Sequence, residues 1–343
     1  MTLYIRTEAN RTTATGHMTR CIAIAKEIRA MGGEVVFIIA ESVSEKLPKE
    51  AGFEYICLDR VWDDFDGEIP VILDLIEEKN IEYMLVDSYY VSSEYMKAIN
   101  GKVKTAYIDD LHDRVWPVGA IINYAVYYDL FDYDKEYPNS HKLLGCSYMP
   151  LRPEYVGVQP DIRLKCKNIL VVTGGGDEFH FIKNLIDLVS ADSALLGYHF
   201  TFICGAFNVD YDELSARYIK EAGYKNITLL KAVPSLKDYL LQSDLLVSAG
   251  GTTLYEAAIC QVPTITFRIA DNQNYNVTSF GQKGLAIDAG DVRYDFSYEN
   301  LIKEIKNLCI DTNLRAGMRA KQQETLDGNG ARRLADFFMN EWR

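Results

Sequence analysis

Gly16 and His17 stand between a short apolar segment, Leu3 to Arg6, and a run whose apolar residues have helical spacing. A glycine here lets the chain turn tightly, and the first N–H groups of the following helix point at the same place. The positive end of a helix disfavours imidazolium, so His17 is expected to stay neutral near pH 7 and to serve as a general base. The alternative is a helix-capping or core histidine, because one Gly-His pair is a weak signal.

Three further segments with glycine or polar residues follow strand-like stretches in the second half of the chain. They are Gly174, Gly175 and Gly176; then Ser248, Gly250, Gly251, Thr252, Thr253 and Glu256; then Asp271, Asn272 and Gln273. Glycine backbone can lie against a phosphate, and a helix N-terminus attracts a diphosphate. The chain has no lysine after these glycines, as a P-loop requires, and no G-x-G-x-x-G fingerprint.

Each of these segments also has a structural interpretation. The glycines suit tight turns, Glu256 suits the positive end of a helix, and Asp271 or Asn272 suits a helix cap. A carboxylate at position 256 is also placed to accept hydrogen bonds from a ribose diol. Three such strand ends in one half of the chain favour a nucleotide-sugar site.

The acidic residues allow two other hypotheses. Asp64 and Asp66 form a D-x-D pattern, but they lie in an acidic, turn-prone stretch rather than at the end of a buried strand, so a solvated loop is expected instead of a metal site. Asp109, with Asp110 and Asp113, follows another strand, where it either contacts a sugar or orients His17, or stabilises the turn. No spacing of histidines and cysteines supports zinc, and no metal or cofactor is expected.

Apolar strands alternate with helical patterns along the whole chain, which predicts an α/β protein. The predicted strands are Leu3 to Arg6, Glu34 to Ala40, Tyr83 to Asp87, Thr105 to Asp109, Asn168 to Thr173, His199 to Cys204, Ile227 to Ala232, Asp244 to Ser248 and Thr264 to Ile269. A strandless stretch with prolines, around Met149 to Pro160, separates two doubly wound, Rossmann-like domains, residues 1–150 and 151–329. A C-terminal helix, residues 330–343, packs back on the body, and ligands are expected in the cleft between the domains.

Composition narrows the class of partner. The net charge of the 343-residue chain is −13, which argues against nucleic acid or an anionic membrane, and no run of 18 apolar residues suggests membrane insertion. The seven cysteines occur singly, as is typical of reduced thiols. No basic region followed by a long apolar stretch precedes the first predicted strand, so no leader is expected. We expect a cytoplasmic protein with a small-molecule substrate; the oligomeric state is open, with a monomer expected.

In chain order, the motifs G-H-M-T-R, V-D-S-Y-Y, I-D-D, G-C-S-Y-x-x-L-R-P-E-Y, T-G-G-G-D, S-A-G-G-T-T-L-Y-E-A and A-D-N-Q span nearly the whole sequence. Together they resemble the UDP-sugar hydrolases of bacterial pseudaminic acid biosynthesis, a pathway for flagellin and surface glycans. That family is similar to inverting GT-B glycosyltransferases that add N-acetylglucosamine to a lipid-linked muramyl peptide. The resemblance implies the GT-B fold, with UDP held by the C-terminal domain.

The resemblance also implies a reaction, in which water displaces UDP from UDP-2,4-diacetamido-2,4,6-trideoxy-β-L-altrose by breaking the anomeric C–O bond. In the G-H-x-x-R motif, His17 would be the base, with Gly16 and Arg20 at the substrate. Tyr89 and Asn272 would lie at the sugar, and Glu256 at the ribose. One departure is Ser88, where the family commonly has histidine.

Three other functions are weighed against this one. An inverting glycosyltransferase of the same architecture would replace water by an acceptor hydroxyl, although the acidic chain shows no apolar patch flanked by Lys and Arg for a lipid-linked acceptor. A catalytically silent nucleotide-sugar binding protein is disfavoured by His17. A hydrolysing 2-epimerase lacks its catalytic carboxylates here.

Overall fold

A computed structural model describes residues 1–10, 12–13, 15–221 and 224–342 of the chain. The chain divides into two compact units, the first made of Met1–Val156 with Gly328–Arg343 and the second of Gly157–Asp327. Arg343, the last residue of the predicted C-terminal helix, lies outside the described residues.

The first unit contains a seven-stranded sheet in the order β3-β2-β1-β4-β5-β6-β7, with every pair parallel. Its strands are β1 Thr2–Thr7, β2 Glu34–Ile39, β3 Glu54–Cys57, β4 Tyr83–Asp87, β5 Lys104–Ile108, β6 Ala120–Asn123 and β7 His141–Leu144. Its helices are α1 Gly16–Ala30, α2 Lys46–Glu50, α3 Phe65–Lys79, α4 Ser93–Ile99 and α5 Tyr133–Glu136. The direction of winding reverses between β1 and β4, and ligands of doubly wound folds bind outside the carboxyl ends of strands at such a point.

The second unit repeats this plan with six parallel strands in the order β10-β9-β8-β11-β12-β13. Its strands are β8 Asn168–Val172, β9 His199–Cys204, β10 Ile227–Lys231, β11 Leu245–Ala249, β12 Thr264–Arg268 and β13 Ile287–Asp291. Its helices are α6 Phe181–Ala191, α7 Tyr211–Leu214, α8 Lys237–Gln242, α9 Thr253–Ile259, α10 Asn274–Gln282, α11 Tyr298–Ile310 and α12 Thr312–Thr325. Here the winding reverses between β8 and β11.

Short helical segments of other types complete the chain. The 3₁₀ turns are Ser42–Ser44, Tyr128–Leu130, Cys146–Tyr148, Pro153–Tyr155 and Asp271–Gln273, and the π-helical segments are Ser215–Glu221 and Phe337–Glu341. The second π segment continues α13, Gly330–Asp336, in the first unit. There Trp342 is buried, and its ring lies 5.6 Å from that of Tyr83.

The core of each unit forms because the sheet is covered on both faces, so its inner strands can be apolar throughout. In the second unit every residue of β11 is buried. Helix α6 presents Phe181, Leu185 and Val189 to the same core, at the spacing of one helical face. The strands thereby place their carboxyl ends, and the loops that follow them, along one edge of each sheet.

The predicted fold class is confirmed: two parallel α/β units with Rossmann-like winding. All nine predicted strands occur within one residue of the expected ends, whereas β3, β6, β7 and β13 were not predicted. Asp64 and Asp66 are exposed, as expected, but only the residues up to Asp64 form a loop, because α3 begins at Phe65. The carboxylate of Asp64 caps α3 by accepting a hydrogen bond from Gly67 N at 2.9 Å, and Phe65 is buried.

Candidate active site

His17 lies in the first turn of α1 and is paired with Asp87, the last residue of β4. Because β1 and β4 are neighbours, with Thr7 in register with Asp87, the chain leaving β1 brings the imidazole beside that carboxylate. The distance from His17 Nδ1 to Asp87 Oδ1 is 2.7 Å, and the side chain of His17 is only 4% exposed. No described residue forms a hydrogen bond with His17 Nε2.

Arg20, one turn along α1, organises the carboxylates around this pair. Its Nε donates to Asp87 Oδ2 at 2.7 Å and its Nη1 donates to Asp110 Oδ2 at 2.7 Å, and it also donates to Asp87 Oδ1 and Tyr124 Oη. Its Nη2 lies 2.8 Å from His17 Nδ1. Because the guanidinium forms ion pairs with both Asp87 and Asp110, we interpret Arg20 as a residue that positions the carboxylate of Asp87.

The protonation states follow from the charges of this cluster. Burial alone would raise the pKa of Asp87, but the charge of Arg20 and the hydrogen bonds from Arg20 and His17 outweigh it and hold that pKa well below its usual value. An ionised carboxylate can only accept, and Arg20 Nη2 donates to Asp87 Oδ1, so we assign the proton of the imidazole to Nδ1 and the lone pair to Nε2. Arg20 therefore bridges two carboxylates, those of Asp87 and Asp110, beside the ring.

Tyr89, in the turn after β4, packs its ring edge-to-face against His17, with 4.4 Å between the ring centroids. Its hydroxyl donates to Asp110 Oδ2 at 3.0 Å, and the side chain remains 36% exposed. Tyr89 therefore lies at the exposed side of the His17 pair, where a ligand of the imidazole would be found.

Asp109 occupies a different place from its neighbour Asp110. Its side chain is buried, accepting hydrogen bonds from His112 N at 2.9 Å and from Tyr133 Oη at 2.8 Å. These bonds stabilise the turn after β5, one of the three roles expected for this residue, and it is Asp87 rather than Asp109 that contacts His17.

A buried ionic network lies at the carboxyl end of β1. Arg6 donates to Glu8 at 2.8 Å and, through Nε and Nη2, to both oxygens of Glu68, and all three side chains are fully buried. Ser88, which replaces the expected histidine, donates to Glu8 Oε1 at 2.5 Å. Burial raises the pKa of Glu8 against the opposing effects of Arg6 and Ser88. Ser88 thus belongs to the buried hydrogen-bond network next to Asp87, through its bond to Glu8.

In the second unit, Gly174 to Gly176 follow β8 at the point where the winding reverses. Gly174 has a φ of +90°, a conformation that side-chain-bearing residues rarely adopt, and there is open space beside all three glycines. Gly205, after β9, closes on this loop so tightly that a Cβ there would lie 2.2 Å from the carbonyl oxygens of Gly174 and Gly175. The loop therefore exposes backbone without side chains, and its packing against Gly205 constrains its conformation.

The segment from Ser248 to Glu256 follows the adjacent strand, β11. Ser248 is buried and donates to the carbonyl of Ala249 at 3.0 Å, so its hydroxyl is turned into the backbone. Gly251 has open space beside it, and Thr252 is exposed just before α9. Thr253 starts α9, and Glu256 lies in its first turn, 6% exposed.

The third predicted segment, Asp271 to Gln273, is a 3₁₀ turn after β12. Asp271 pairs with Arg293 at 2.6 Å, and Gln273 Oε1 accepts from Ile269 N at 2.9 Å. Asn272 is exposed. Since β8, β11 and β12 are consecutive in the sheet, all three segments lie along one edge of the second unit.

Two residues of this site, Asp87 and Asp110, were not predicted individually from the sequence. Asp87 appeared only within a motif, and Asp110 only within a group of aspartates. The signal that could have found Asp87 was its place as an acidic residue that ends an otherwise apolar strand.

Within the described residues, no group of three or more His, Cys, Asp or Glu side chains is placed to hold a metal ion. None of the helices in this part of the chain is long and apolar enough to cross a membrane. All seven cysteines are free.

The two parallel α/β units match the fold of solved GT-B glycosyltransferase structures. Residues 169–335 match the model of the glycosyltransferase family 28 C-terminal domain, which covers nearly all of the second unit and continues into α13. The structure is similar to that of MurG from Acinetobacter baumannii, with a TM-score of 0.70 and 14% identity over 98% of each chain.

Two curated proteins show sequence similarity. The spore coat polysaccharide biosynthesis protein SpsG of Bacillus subtilis is 24% identical over 77% of this chain and 78% of its own length. The uncharacterized protein MJ1062 of Methanocaldococcus jannaschii is 23% identical over 77% of this chain, but the match spans only 55% of that protein.

Proposed function

We propose that this protein is a nucleotide-sugar hydrolase that cleaves UDP-2,4-diacetamido-2,4,6-trideoxy-β-L-altrose into UDP and the free sugar. The observation that carries the proposal is the Asp87–His17 pair, in which Nδ1 is held at 2.7 Å and no described residue bonds to Nε2. A neutral imidazole oriented in this way is suited to remove a proton from water.

In the proposed reaction, a water oxygen attacks the anomeric carbon while its proton passes to His17 Nε2. The bond between that carbon and the β-phosphate oxygen breaks, and its electron pair leaves with UDP. The imidazolium formed is stabilised by the negative charge of Asp87 and Asp110, which Arg20 only partly offsets. The proton then returns to solvent, and the base is restored.

We assign the nucleotide to the second unit and the base to the first. The open backbone of Gly174–Gly176 and Gly251 and the hydroxyls of Thr252 and Thr253 are suited to a diphosphate. Glu256 is assigned to the ribose diol and Asn272 to the sugar or the water, with Asp271 and Gln273 shaping that turn. UDP is a good leaving group once its developing charge is stabilised, so the scheme uses neither a metal nor an organic cofactor.

The test is to incubate the full chain with this donor, without any acceptor, in water enriched in heavy oxygen. We expect stoichiometric UDP release with the label in the sugar, whereas label in UDP would show attack at phosphorus and contradict the proposal. The His17→Asn variant should lose this activity. His141→Asn, which changes an exposed histidine at the start of β7, is the matched control and should keep it.

The second candidate is an inverting glycosyltransferase, favoured by the match to the family 28 C-terminal domain. In that case the same His17 would remove a proton from an acceptor hydroxyl. Such an enzyme would release UDP slowly in water alone and much faster on addition of its acceptor, so the acceptor-free rate separates the two functions.

A further inference from the structure

Two aromatic side chains of the first unit that the proposed reaction does not use pack against each other, and one of them is the residue after Tyr89. The rings of Trp62 and Tyr90 meet edge-to-face, with 4.6 Å between their centroids. Tyr90 is 40% exposed and directly follows Tyr89, whose ring contacts His17. We call Trp62 and Tyr90 the aromatic pair; it is joined to the residue that contacts the base by one peptide bond.

The aromatic pair is built from two loops that the structure ties together. Trp62 belongs to the segment between β3 and α3, and Tyr90 to the loop between β4 and α4. Ser92 in the second loop donates a hydrogen bond to Asp66, in the first turn of α3. Tyr90 N also donates to Ser88 Oγ at 3.1 Å. These bonds hold both loops without any contribution from the two rings themselves.

The buried ion pair between Arg6 and Glu68 fixes where the aromatic pair lies relative to the sheet. Glu68, one turn into α3, is anchored to Arg6 of β1 at 2.7 Å. This anchor brings the start of α3, and Trp62 just before it, to the carboxyl end of β1, which is the end from which the chain leads to His17. Trp62 thus follows the edge strand β3 in sequence. It lies at the carboxyl end of the sheet, the same end as His17.

Aromatic rings bind the apolar faces and methyl groups of sugars, because they bury carbon surface without requiring a polar partner. We propose that the aromatic pair determines sugar specificity, by contacting the methyl groups that distinguish an acetamido or 6-deoxy sugar from a fully hydroxylated one. The inference rests on the proposed function, since it assigns the sugar end of the same substrate to this surface.

The chain itself supplies a spectroscopic probe for the test. Trp116 and Trp342 are 3% and 4% exposed, whereas Trp62 is only half-buried. Binding of a sugar to the pair should therefore shift the tryptophan emission of the full chain. We expect a shift on titration with the diacetamido donor or UDP-N-acetylglucosamine, none with UDP alone, and loss of the shift in Trp62→Phe.

Turnover provides the second measurement. Trp62→Ala should lower kcat/KM for the diacetamido donor about tenfold relative to that for UDP-glucose, mainly through KM. Val61→Ala removes an exposed apolar side chain from the same segment, 57% exposed, and should leave the ratio unchanged. An unchanged ratio in Trp62→Ala, or an emission that responds equally to UDP alone, would overturn the inference while hydrolysis stands. Absence of all UDP release would instead refute the proposed function, and the emission titration would still decide the role of the pair.

Discussion

Asp87 Oδ1 lies 2.7 Å from His17 Nδ1, although the two residues are 70 positions apart in the chain. The pair forms where β1 and β4 run side by side and the winding of the sheet reverses. Its consequence is a defined tautomer, with the acceptor nitrogen turned away from the carboxylate. Substitution of either His17 or Asp87 should therefore lower kcat.

Replacing His17 by asparagine should remove the base and leave nucleotide binding intact. A positioned general base contributes roughly 10²- to 10⁴-fold to rate, so kcat should fall by about that factor. Calorimetric titration with UDP should give a dissociation constant within a few-fold of that of the unaltered protein. A kcat within threefold of the original would exclude His17 from the mechanism.

Replacing Asp87 by asparagine should affect both turnover and stability. The Asp87→Asn substitution leaves Arg20 beside a neutral amide, and breaking a buried charge pair costs about 3–5 kcal/mol. The same variant replaces a carboxylate that can only accept by an amide that can also donate to Nδ1, so the proton is no longer confined to Nδ1 and kcat should also fall. Denaturant unfolding and steady-state kinetics measure the two effects.

The stability effect should depend on pH in a known direction. The folded-state pKa of Asp87 is lowered, so the stabilisation is fully present above the pKa of an unfolded aspartate, about 4. It is lost as the pH falls further, toward the folded-state pKa. The difference in unfolding free energy between the two proteins should therefore be constant from about pH 5 to 7 and shrink below about pH 4; a difference that grew on acidification would contradict the assigned ionisation.

Substituting alanine for Gly205 should distort the glycine loop of the second unit. The new Cβ would lie 2.2 Å from two carbonyl oxygens, so the backbone of Gly174 and Gly175 must move. Overpacking of this kind typically costs about 1–3 kcal/mol, and the UDP dissociation constant should rise at least about tenfold. Gly197→Ala is the matched control, because it has open space beside it and should change neither quantity.

Glu256→Gln should weaken binding of UDP through the ribose. Hydrogen bonds to a charged group contribute about 1.5–3 kcal/mol, which corresponds to roughly a 10- to 100-fold rise in the dissociation constant. The original protein should also bind UDP more tightly than 2′-deoxy-UDP, and the variant should lose that preference. If both proteins discriminate equally between the two nucleotides, the ribose contact is not made by Glu256.

Much of the fold was predictable because its signals are local. Strands such as β4 and β9 are mostly apolar and largely buried, and their predicted bounds equal the observed ones. Two of the strands that were not predicted, β3 and β13, lack such a signal. β3 is a four-residue edge strand with no fully buried residue, and β13 contains a glycine and two aspartates.

The candidate site was predictable in part, and for a different reason. Glycines and polar residues after strands indicate the edge of the sheet where a ligand binds, whatever the order of the strands. They do not indicate which of several aspartates meets a given histidine. Asp87 and Asp110 both contact Arg20, whereas Asp109, adjacent in sequence to Asp110, is turned into the protein toward Tyr133.

Local sequence is enough to predict the two runs of parallel strands, the position of His17 at the start of a helix, and the glycine turns, because each depends on residues close together in the chain. Tertiary structure alone decided the partner of His17, the anchoring of α3 through Arg6 and Glu68, and the meeting of Trp62 with Tyr90. Those contacts join segments that are distant in sequence, and they depend on which strands become neighbours when the sheet is assembled.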